Sequence, residues 1–157
     1  MKPIRRLLLA AACAPLAACG FQPLYAGPGI TALSAMEIEA GQSRIDYLLE
    51  DAVSGAFGSG TDESPYRLVL NTETDERRLG ISAADRASRY GLDLRVRYRL
   101  VEGDEIVAEG LVRETAYFDA PFAPYALIAA RRNAEEQAAL AAARTLSRRL
   151  AAATRNE

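Results

Sequence analysis

Two sets of residues in this sequence have types and spacings that could do chemistry. The first is Cys19, which directly follows Leu16-Ala17-Ala18. A thiol at a newly made N-terminus can carry a diacylglycerol, and the amine freed beside it can take an N-acyl chain. One acyl chain holds a protein to a membrane only marginally, whereas several hold it stably. The second set is Arg95, Arg97 and Arg99, at every second position of a segment whose other parity is apolar. Guanidinium forks spaced in this way stand roughly 7 Å apart along a strand and can grip phosphates or carboxylates. Arg77 and Arg78, at the far end of the preceding segment, could extend that row. A second reading of the same arginines is a solvated strand face paired with Glu109 and Glu114 of a neighbouring strand, an arrangement that is common and weak. Both readings stay open at the level of sequence.

The residue inventory speaks against catalysis. The chain has no histidine, no Gly-x-Ser-x-Gly turn and no glycine loop to cradle phosphate, so a general base and the usual nucleophile and phosphate motifs are missing. Glu135 and Glu136 are adjacent in a helical segment and point about 100° apart, which suits a solvated face better than a pair of working carboxylates. Cys13 lies in a segment expected to be removed, leaving a single thiol and no set of ligands for a His/Cys metal site. The expectation is a protein that is not an enzyme, with no metal and no cofactor apart from covalent lipid on Cys19.

The residues ahead of Cys19 have the layout of an export signal. Lys2, Arg5 and Arg6 make a positive start, and Leu7–Ala18 carries no charge. That apolar run is about a dozen residues, short of the roughly 20 that a spanning helix needs. The sequence around Cys19 resembles the bacterial lipobox, in which the cysteine becomes the lipidated first residue. Gly20 follows it where aspartate would retain the protein at the inner membrane, so the same sorting pattern implies the outer membrane. Removing Lys2, Arg5 and Arg6 from 19 basic residues leaves 16 against 21 acidic ones, so the mature chain is near −5. This balance does not suit general nucleic-acid binding. The expected organisation is a signal over 1–18, a lipidated tether over 19–29 and a single domain over 30–157.

The elements that must position the arginines follow from periodicity. A short first strand is expected around Leu33–Glu39. Ile45, Leu48, Leu49, Ala52, Val53, Ala56 and Phe57 recur at helical spacing, with Ser43 and Asp46 forming a capping box and Gly58 a stop. From Tyr66 to Phe118 the period changes to two. The strongest strand places Tyr90, Leu92, Leu94, Val96, Tyr98 and Leu100 on one parity and the arginines on the other. Ser82–Arg86 and Glu102–Glu105 supply turns. After Pro121 and Pro124 comes a long segment of Ala, Leu, Arg, Glu and Gln that predicts a helix to Ala153. Its stripe of Ala126, Ala130, Ala134, Ala138, Ala141, Leu146 and Leu150 would let it pack closely on a sheet. The fold class is α+β: a four-stranded sheet, with a long antiparallel meander plus a short first strand, and two helices packed on one face.

A lipobox running into Cys19-Gly20-Phe21-Gln22-Pro23-Leu24-Tyr25, followed by strand, helix, three strands and an Ala/Arg/Glu-rich helix, resembles the lipopolysaccharide-assembly lipoprotein family LptE in its alphaproteobacterial form. The resemblance covers essentially the whole chain, and its specific part is the stretch from Cys19 to Tyr25. It implies a plug inside the large outer-membrane β-barrel LptD, which supports barrel assembly and helps deliver lipopolysaccharide to the outer leaflet. It also implies direct contact with lipopolysaccharide through basic residues, without a motif that transfers that site position by position. The alternative is a periplasmic accessory lipoprotein of another envelope lipid-transport complex. In either case Cys19→Ala is expected to move the protein out of the carbonate-washed membrane fraction while its circular dichroism stays unchanged. Retention in that fraction would show that lipid on Cys19 is not the main attachment.

Overall fold

The computed structural model describes residues 33–58, 64–81, 87–121 and 123–154. The expected signal, the tether with Cys19, and the turn Ser82–Arg86 lie outside the described residues. The elements are β1 (Glu37–Glu39), α1 (Arg44–Phe57), β2 (Tyr66–Ile81), β3 (Ala87–Glu102), β4 (Glu105–Asp119) and α2 (Pro124–Ala153). The strands form one sheet in the order β1-β2-β3-β4. β2, β3 and β4 are antiparallel neighbours, and β1 lies parallel to β2. Both helices cover the same face, giving the α+β architecture that the periodicity predicts.

The sheet divides by parity. Leu92, Leu94, Val96, Tyr98 and Leu100 of β3 are buried, as are Tyr66, Leu68 and Leu70 of β2 and Val112, Ala116 and Phe118 of β4. Tyr90 stacks on Phe118 with ring centroids 5.3 Å apart. Against this inner face α1 sets Ile45, Leu49, Val53 and Phe57, spaced by four residues, with Leu48 and Ala52 half-buried beside them. Ala56 departs from the expected stripe and is exposed. α2 sets Ala134, Ala138, Ala139, Ala142, Ala143, Leu146, Leu150 and Ala151. Alanines keep the helix close to the sheet, and the buried Ser147 satisfies its hydroxyl on Ala143 O at 2.8 Å.

Two expectations change. The first strand starts at Glu37, not Leu33. Leu33 instead accepts from Met36 N–H in a turn, with Ala35 at φ 61, and Leu33 and Met36 drop into the core below β1. Their spacing of three fits a turn and not the period of a strand. The buried stripe of α2 begins at Ala134, and Ala126 is exposed. Arg44, the first residue of α1, meets Glu135 at 3.3 Å, so among the described residues no second helix lies beside the part of α2 before that level.

The junction of α1 with the sheet rests on Asp46, which is 5% exposed. Ser43 Oγ accepts from Asp46 N–H at 3.2 Å, and the Asp46 carboxylate accepts from Ser43 N–H at 2.9 Å, a reciprocal capping box. The other carboxylate oxygen accepts from the Thr72 hydroxyl of β2. A side chain at Gly41 would stand 2.5 Å from the carboxylate, so the approach to the cap needs glycine. Burial works to raise the Asp46 pKa, but the hydrogen bonds from Ser43 and Thr72 outweigh it and the pKa is lowered. A lowered folded-state pKa means that the stabilisation is complete above the free value of 3.8 and is lost as pH falls through the folded value. Asp46→Ala is expected to cost about 2 kcal/mol in urea unfolding at about pH 7, and the gap from wild type should narrow by about pH 2.5. An equal gap at both pH values would contradict this.

Candidate functional site: the polar face of the sheet

The face turned away from the helices is ordered in rows across three strands. From one end, the rows are Arg77, Gly91 and Tyr117; then Asp75, Asp93 and Thr115; then Glu73, Arg95 and Arg113. Asn71, Arg97 and Leu111 follow, and then Val69, Arg99 and Glu109. An open depression of about 600 Å³ lies over the last two rows, lined by Asn71, Arg97, Arg99, Glu109 and Leu111 among others.

Most arginines on this face are matched. Arg97 Nη1 meets Glu73 Oε1 at 2.8 Å, and Arg67 Nη1 meets Glu39 Oε1 of β1 at 2.9 Å. Arg89 Nε meets Asp119 Oδ1 at 3.1 Å. Arg77 binds Asp93 with two nitrogens, Nη2 at 3.0 Å from Oδ1, and the Thr115 hydroxyl donates to the same oxygen at 2.6 Å. The hydrogen bond from Arg77, then that from Thr115, hold the Asp93 carboxyl below its usual range, and Arg97 does the same to Glu73. Arg95, Arg99 and Arg113 make no ion pair or hydrogen bond to the described residues: Arg99 faces Glu109, and Arg95 stands between Glu73, whose pKa it helps to lower, and Arg113, directly opposite it on β4. Like charges placed directly opposite across a strand pair are destabilising.

Of the sequence-predicted row, Arg95, Arg97 and Arg99 share the outer face. Arg77 joins them but is occupied by Asp93. Arg78 does not belong to the row: its register partner is Tyr90, which places it on the inner face. Glu114 also fails to meet the arginines. It lies opposite Leu94 and accepts from Thr145 Oγ1 of α2 at 2.9 Å. Glu109, by contrast, faces Arg99 across the strands. Sequence reasoning missed Arg113. The two-residue turn pairs Glu102 with Glu105, and a register shift at Leu100/Val101 leaves Val107 as an extra residue on β4. Without that bulge Arg95 would face Val112, and nothing local in the sequence announces it.

At the free edge of β4, Arg149 Nη1 of α2 donates to Leu111 O at 2.9 Å. Among the described residues no three His, Cys, Asp or Glu side chains converge to hold a metal. No described helix is long and apolar enough to cross a membrane.

Comparison with known proteins bears on the architecture. No family model matches the sequence, and no curated protein matches it either. Solved structures do match. A lipoprotein from Caulobacter crescentus CB15 is similar with a TM-score of 0.67 and 29% identity, over 82% of this chain and 97% of that one. The rare lipoprotein B of Shewanella oneidensis aligns with a TM-score of 0.60 and 12% identity, over 77% of this chain and 96% of that one. The chain has the rare lipoprotein B fold. Lipoprotein B of Nitrosomonas europaea, known from its solution structure, shares it with a TM-score of 0.58 and 18% identity, over 87% of this chain and 93% of that one. At the two lower identities it is the architecture that is held in common.

An NMR titration of the side-chain carboxyls should place Asp93 below the free value of 3.8. Arg77→Gln is expected to move it upward toward that value. An Asp93 that titrates normally with Arg77 intact would show that the bidentate contact is absent in solution.

Proposed function

We propose that this chain is a non-enzymatic lipoprotein of the outer membrane, anchored through Cys19, which fills the lumen of an LptD-like β-barrel. There it supports barrel assembly and the delivery of lipopolysaccharide to the outer leaflet. The observation that carries the reading is the polar outer face: three long strands present largely paired charges there, while the helices cover the apolar part of the other face. Barrel interiors are polar, so such a face can line a lumen without exposing a large apolar patch. The similarity to bacterial lipoproteins and the lipobox around Cys19 support the anchoring part of the reading.

The anchor and the face work together. Cys19 stands fourteen residues before Leu33, the first described residue, and an extended tether of that length reaches at most about 50 Å. Strands of sixteen residues span roughly the same distance. The lipid therefore confines the domain to a thin layer at the membrane and raises its effective concentration toward a barrel in the same membrane. The barrel supplies the enclosure that the open sheet lacks.

The test is a mild-detergent pull-down of the tagged mature lipoprotein from outer membranes, with co-purifying proteins identified by mass spectrometry. The expected result is one large β-barrel recovered near one to one. Recovery of an inner-membrane transporter instead, or of no barrel, would overturn the plug assignment.

A further inference from the structure

We draw no further inference here: the strongest candidate, the open depression on the outer face of the sheet lined by Asn71, Arg97, Arg99, Glu109 and Leu111, carries none because nothing in the structure shows what covers it.

Discussion

The structure depends on the alternation along β3. Its even positions from Leu92 to Leu100 are all buried, and its odd positions Arg95, Arg97 and Arg99 are all exposed. Because the side-chain period of a strand is two, a slip of one residue would carry three guanidinium groups into the core. Placing even one unpaired charge there costs several kcal/mol, a sizeable part of the net stability of a domain of this size. The central strand therefore admits one facing, and its long antiparallel pairings with β2 and β4 transmit that facing to the whole sheet. Everything placed on the outer face is fixed by what the inner face must bury.

This explains how much of the molecule is legible in the sequence. The facing of β3, the capped first helix and the long alanine-rich last helix are strong local patterns, and the structure reproduces them. Positions set by non-local geometry are harder to read. Leu33 and Met36 look like the start of a strand, yet they belong to a turn whose apolar side chains the core recruits. β4 has apolar residues on both parities, Leu111 and Tyr117 on one and Val112 and Phe118 on the other, so its facing cannot be chosen locally. The extra residue at Val107 settles it, and with it the partner of Arg95. Arg78 and Glu114 depart from expectation for the same reason, since adjacent residues in a strand face opposite ways and only the register says which.

Glycines at two cross-strand positions show how tightly the sheet is filled. The Tyr98 hydroxyl lies over Gly110 on the helix side, where an added Cβ would come within 2.9 Å of it. On the outer side Leu79 and Tyr117 close over Gly91, where a Cβ would stand 3.2 Å from the first and 3.4 Å from the second. In each case a large side chain spans the gap that a missing one leaves, which keeps the surface continuous across strands. The outer face thus ends in a small apolar cap beyond the Arg77–Asp93–Thr115 cluster, while its middle rows remain polar.

Among the described residues, both long edges of the sheet are open beyond their short coverings. β1 pairs with β2 only as far as Val69, and past it the β2 edge runs through Glu73, Asp75, Glu76, Arg77 and Arg78, a density of charge that discourages a further strand. On the other edge the Arg149 guanidinium already occupies the Leu111 carbonyl. A strand arriving from another copy would have to displace that contact or desolvate those charges. Molecules of this protein brought close together are thereby kept from templating one another into a growing sheet.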